Sequence, residues 1–190
     1  ELNDRITLRP GVDFLGGPYV AQFKIPSSPE SFAETDPLAE REEFTTEFTG
    51  TLFAADPFLE AWIKPIGGTD ALTIVPGVRY NSLFMPNYTV NSFDPRISLR
   101  TTPWEGTTFK GGTGFSHQPP QGPDLGFDQD DIRVGYERSW STELGVEQRF
   151  SDAVEADVSL FTKQLTDLIV ENPNIESADD PFFINAGEGR

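Results

Sequence analysis

The sequence predicts an all-β fold of antiparallel, up-and-down strands, of the kind that forms the wall of a transmembrane β-barrel. Three observations predict it. Apolar residues recur with a period of 2 along much of the chain and rarely with a period of 3.6. The runs are long, often far beyond the usual strand of about 5–6 residues. The connections alternate between short and long, and acid gathers in the long ones. Composition agrees: 17 Gly and 16 Pro provide turns, and 16 Phe provide aromatic bulk.

The elements follow in order. Ile6, Leu8, Val12 and Phe14 share a face opposite Thr7, Arg9, Gly11 and Asp13, which predicts a strand near 5–15. Leu59, Ala61 and Ile63 alternate with Glu60, Trp62 and Lys64 inside a strand near 49–65. A third, near 71–84, sets Leu72, Ile74, Val78 and Tyr80 against Thr73, Val75, Gly77 and Arg79. A fourth, near 93–103, sets Ile97 and Leu99 against Arg96, Ser98 and Arg100. A fifth is placed near 107–118. A sixth, near 133–150, carries Trp140, Thr142, Leu144 and Val146 on one face. The seventh, near 154–170, carries Val154, Ala156, Val158 and Leu160, and an eighth begins near 182–190.

Short connections are placed at 66–70, 104–106 and 151–153, and long ones at about 16–48, 85–92, 119–132 and 171–181. Short turns at one end and long loops at the other are the pattern of an outer-membrane barrel, with periplasmic turns and extracellular loops. Charge follows the loops. Residues 16–47 carry net -5, while 119–131 and 171–181 carry -4 each, out of -17 for the chain. Inside the first loop, Asp36 as N-cap and Pro37 at the first helical position predict a short helix over 35–44.

Alternation alone does not separate a barrel from a sandwich, since both have one apolar face. Strand length and loop asymmetry favour the barrel. Charge in mid-strand, as at Arg79 and Arg100, fits a wet lumen. Two other architectures stay open: a secreted β-sandwich that binds carbohydrate or calcium, and a small passive porin-like barrel. No stretch of 18 apolar residues is present, so no transmembrane helix is predicted.

Composition also narrows the chemistry. An excess of 31 acids over 14 bases leaves nothing to replace phosphate counterions, so nucleic acid is not a partner. With Cys 0 there is no thiol nucleophile and no thiolate metal site. The one imidazole, His117, stands beside Gln118 where a strand meets a loop. Ser116, its neighbour, falls on the opposite face, so no nucleophile–base pair forms and the chain is read as no enzyme. His117 and Gln118 remain substrate-contact candidates. Arg79, Arg96 and Arg100 on the polar face are candidates to guide an anionic substrate. The favoured reading pairs them with carboxylates on neighbouring strands, such as Glu60 or Glu143. Asp124, Asp128, Asp130 and Asp131 cluster in one loop as weak calcium candidates without EF-hand spacing. No cofactor is expected. Trp62, Tyr80, Phe84, Trp104, Phe109, Phe115, Tyr136 and Phe150 lie near strand ends, where aromatic girdles form.

Six segments together carry a resemblance. They are Ile74-Val75-Pro76-Gly77-Val78-Arg79-Tyr80, Asp94-Pro95-Arg96-Ile97-Ser98-Leu99-Arg100, the run from Thr107 through Phe115 into His117-Gln118-Pro119-Pro120, Glu137-Arg138-Ser139 with Glu143-Leu144-Gly145-Val146-Glu147, Leu160-Phe161 through Asp167-Leu168-Ile169, and Asn185-Ala186-Gly187-Glu188-Gly189-Arg190. In this order and spacing they resemble the barrel of TonB-dependent outer-membrane receptors, over about residues 50–190.

The resemblance implies that residues 1–190 form part of one receptor barrel, about seven or eight strands of some 22, with no plug domain seen. It implies TonB-dependent uptake across the outer membrane of a scarce nutrient: a siderophore, a cofactor or an oligosaccharide. The implied partners are the outer-membrane bilayer, the remainder of the barrel and its plug, the small-molecule substrate, and the periplasmic TonB protein acting through a missing N-terminal segment. The chain would supply wall, lumen and extracellular loops.

Overall fold

The computed structural model describes residues 3–26, 43–67, 70–121, 134–175 and 180–190. Eight strands form one antiparallel sheet in simple sequence order. They are β1 (Ile6–Pro26), β2 (Glu43–Ile63), β3 (Leu72–Met85), β4 (Tyr88–Trp104), β5 (Thr107–Gln118), β6 (Glu137–Ser151), β7 (Val154–Glu171) and β8 (Phe183–Gly189). Every strand pairs with its chain neighbour, which is the meander expected of an up-and-down wall. Among the described residues β1 and β8 do not pair with each other, so the sheet is open. The described residues form neither the dry two-sheet core of a sandwich nor an eight-strand closed ring.

Several predicted boundaries need correction. β1 continues through Gly16-Gly17-Pro18 to Pro26, and β2 starts at Glu43, so the first connection is shorter than predicted. Pro18 stands opposite Thr51 within this extension. The predicted long loop at 85–92 is a tight turn, Pro86-Asn87, between Met85 and Tyr88. Proline fixes a turn-compatible φ and asparagine favours turns. The residues after them continue the alternation into β4. Long loops therefore do not occupy every connection at that end. β6 begins at Glu137, four residues later than predicted. The predicted helix over 35–44 lies almost wholly outside the described residues, and its last two positions belong to β2.

The β4–β5 turn is Glu105-Gly106, with Gly106 at φ 79, a backbone that L-side chains rarely adopt. The Arg149 N–H closes onto the Gly106 carbonyl at 2.7 Å, tying this turn to β6.

Register assigns the two faces. Leu59↔Val78, Ile63↔Ile74, Ile74↔Leu99, Tyr80↔Phe93, Leu144↔Leu160 and Val146↔Val158 face one another on the outer side. No large side chain is fully buried among the described residues, and Phe14, Leu144, Val158 and Leu160 are all at least 60% exposed. Leaving such side chains in water costs about 1.5–3 kcal/mol each. A row of them on one face is a surface made for hydrocarbon.

Aromatic residues bracket that row. Trp104 and Phe109 meet edge-on at 6.0 Å by the β4–β5 turn. Phe53 meets Phe14 at 6.1 Å and Phe84 at 6.2 Å toward the other end. Phe93 and Trp104, both on β4, lie about 36 Å apart along a strand rising ~3.3 Å per residue, or about 26 Å vertically at a ~45° tilt. That matches an apolar band of about 25 Å. Trp62 departs from the predicted girdle. It shares a face with Glu60, and the Arg9 guanidinium sits 4.1 Å over its ring.

Candidate functional site

The inner face is an ion-paired wall. Arg79 meets Asp13 at 2.8 Å, Arg96 meets Glu60 at 2.6 Å, and Arg100 meets Glu147 at 2.7 Å. Lys110 joins this last pair, at 3.1 Å from Glu147 and 2.5 Å from Asp157. The arginines do pair with carboxylates, Glu60 among them, but not on adjacent strands as predicted: each pair spans one intervening strand, β3 to β1, β4 to β2 and β4 to β6. Arg100 takes Glu147 in place of Glu143. Glu147 lies on β6 opposite Thr108 of β5, two strands from Arg100, with Lys110 of β5 between them.

Glycines on the same face make room for these long side chains. A Cβ on Gly114 would sit 2.6 Å from Arg96 Cβ, and one on Gly145 would sit 2.7 Å from Lys110 Cε. The cations therefore lie flat against the sheet. Arg96, Arg100 and Lys110, with Ser98, Gly112, Ser116, Ser141 and Lys163, line a concave trough of about 1090 Å³. Phe161 also lines it, at 81% exposure, and with Trp62 and Val75 adds apolar surface to this face.

A second cluster lies at the long-loop end. The His117 Nδ1 atom contacts Asp94 Oδ1, and both side chains are largely buried. The Asn81 amide donates to the other Asp94 oxygen at 2.8 Å and to Ser92 Oγ at 2.8 Å. The Ser82 N–H donates to Asp56 at 3.1 Å. The rings of His117 and Tyr136 meet edge-on at 6.2 Å. Burial, with the nearby carboxylate of Asp56 next in weight, pushes the Tyr136 phenol up to about 12. Asp94, Asn81, Ser82 and Tyr88 are among the most buried residues described. Much of the burial in this wall therefore lies at its outer rim and is polar. Ser139 Oγ is buried there without a partner among the described residues.

Of the predicted site residues, Arg79, Arg96 and Arg100 share one face, and His117 sits at the rim. Gln118 ends β5. Asp124, Asp128, Asp130 and Asp131 lie outside the described residues. Sequence reasoning did not find Asn81, Tyr88 or Asn185, or the buried role of Asp94. Each partner is 11 or more residues distant, and no local spacing marks them. The described residues hold no group of three or more His, Cys, Asp or Glu arranged for a metal ion.

The family model "TonB dependent receptor-like, beta-barrel" matches residues 2–190. The chain belongs to the TonB-dependent receptor barrel family. Members of this family are transporters and receptors of the outer membrane rather than enzymes. Solved structures agree on the fold. The FrpB iron transporter of Neisseria meningitidis (F5-1 variant) superposes with a TM-score of 0.62 at 18% identity, over 99% of this chain and 30% of its own. The ferric-catecholate import receptor Fiu of Escherichia coli K12 gives 0.64 at 11% identity, over 96% and 31%. The alcaligin outer-membrane receptor FauA of Bordetella pertussis gives 0.55 at 14% identity, over 97% and 35%. The chain thus spans about a third of the length of these receptors. No curated protein sequence matches it.

Proposed function

We propose that the chain forms part of the barrel of an outer-membrane receptor that imports a scarce nutrient by TonB-dependent transport. The observation that carries this reading is the two-faced wall. Its outer face is apolar over a bilayer's thickness, and its inner face is a sequence of ion pairs. An open sheet cannot stand alone in lipid, where each unpaired backbone group costs several kcal/mol. The remainder of the same barrel therefore continues from β1 and β8 and closes the wall around a plug. The TonB protein would act from the periplasm through the receptor's N-terminal segment, outside this chain.

Iron chelates are the leading cargo class, because the structural relatives include an iron transporter, a ferric-catecholate receptor and an alcaligin receptor. In this reading His117 and Gln118 face arriving cargo at the rim. Arg79, Arg96 and Arg100, already held by carboxylates, shape the wall more than they grip an anion. The experiment is a deletion of the full-length gene, complemented in trans, with energised uptake of radioactive iron given as ferric catecholates and ferric hydroxamates. Loss of uptake for one chelate on deletion, and its return on complementation, supports the reading. Uptake unchanged by deletion across the panel, or a protein absent from the outer-membrane fraction, overturns it.

A further inference from the structure

The residues that enter β6 do not follow the sheet. Val134 is 4% exposed, although it lies outside any strand. Its carbonyl accepts a hydrogen bond from the Tyr88 hydroxyl at 2.5 Å, at the start of β4. The next residue, Gly135, donates its N–H to Asn185 Oδ1 at 2.6 Å. The Asn185 amide returns a bond to the Gly135 carbonyl at 3.4 Å, and Asn185 belongs to β8. In the sheet, β5, β6 and β7 separate β4 from β8. At ~4.8 Å between neighbouring strands, those two lie about 19 Å apart along the wall. Side chains from both reach adjacent residues only across the concave side. Residues 134–136 therefore cross the inside of the outer rim, and Tyr136 continues that path to His117.

We propose that residues 134–136 are a strap latched against the inside of the outer rim, with Tyr88 and Asn185 as the positioning residues that hold it. Release of the strap widens the mouth, and capture narrows it. Only the naming of this mouth as the cargo entrance rests on the uptake reading. The bonds that hold the strap run from side chain to backbone, so they break without unzipping any strand pair. The anchor itself is fixed. The Asn185 amide also donates to the Asp167 carbonyl at 2.7 Å. Asp167 occupies a left-handed backbone at φ 58 within an irregular stretch of β7, and Arg138 holds its carboxylate at 3.2 Å. A fixed anchor and a few breakable bonds are what a latch requires.

The test uses the full-length receptor, free of other cysteines, in the outer membrane of intact cells. One reporter is Gly135→Cys, where a Cβ meets only ordinary contacts at 3.8 and 3.9 Å. The other is Ser116→Cys, in the trough below the rim. The probe is a bulky, membrane-impermeant maleimide, and the readout is the labelling rate. Asn185→Ala and Tyr88→Phe are each expected to raise the rate at both reporters about five- to tenfold, as loss of one or two such bonds implies. Tyr88→Phe keeps the ring, and mobility on an unheated gel reports that each variant is folded. Unchanged rates at position 135 overturn the latch. A rise at 135 without one at 116 overturns the narrowing of the mouth. Labelling needs no cargo, so a receptor that imports none of the chelates would sink the uptake reading and leave this result standing.

Discussion

Glu147 accepts Arg100 on both oxygens, at 3.3 and 2.7 Å, while Lys110 bridges from it to Asp157. One carboxylate thus serves two cations that glycine-lined space holds flat. Removing it strands Arg100 and leaves Lys110 with Asp157 alone, whereas Glu143, on the same strand, takes part in no such pair among the described residues. Glu147→Gln is therefore expected to lower the urea midpoint of the detergent-solubilised receptor more than Glu143→Gln does. Equal shifts would mean the ladder carries no stability, as many exposed pairs do not.

Tyr136 provides the pH test. Its phenol, at about 12 when folded, lies above the ordinary value of about 10. A raised value means the folded state holds its proton longer. The associated stability is complete below about pH 10 and is lost as pH rises through about 12. Tyr136→Phe is expected to flatten that alkaline loss in urea unfolding between these limits. An alkaline loss as steep as the parent's would show that Tyr136 does not carry it.

At the scale of elements, β7 states the design most clearly. Val158 and Leu160 face outward, while Asp157 and Ser159 face the lumen, and Glu147↔Asp157 and Val146↔Val158 hold the register against β6. A one-residue slip would exchange the faces. Leu160→Arg is expected to cost about 2–4 kcal/mol on folding into lipid if the position is near the bilayer midplane. Ser159→Arg, one residue away, is expected to cost far less, since the lumen is wet. Denaturant titration of folding into vesicles reads both, and similar costs would contradict the assignment of the faces.

For the molecule as a whole, the open edges decide behaviour. β1 and β8 each present backbone donors and acceptors that lipid cannot satisfy. A barrel closed by the rest of the receptor removes both edges, and such closure gives kinetic resistance to detergent. The native receptor is expected to run as a compact band in unheated dodecyl sulfate and to shift on boiling, at a mass well above 21.1 kDa. A soluble species of 21.1 kDa in the source cells would contradict the membrane reading.

Much of this architecture was legible along the chain, because a strand's face has period 2 and neighbouring residues report it directly. The eight strands, their order, the apolar outer face and the inward arginines all follow from that period. The Pro86-Asn87 turn was misread because a turn and a loop share the same residue types. The extension of β1 through Gly16-Gly17-Pro18 was missed because glycine and proline read as turn residues along the chain, while the pairing with β2 that keeps them in a strand is long-range. The rim cluster was not legible at all. Asp94, Asn81, His117, Tyr136 and Asn185 come from four strands and the segment that enters β6. Hydrogen bonds between such residues depend on curvature, register and the path of one strap, which arise only when the strands assemble. Local alternation therefore specified the wall, and long-range geometry alone specified what is held at its mouth.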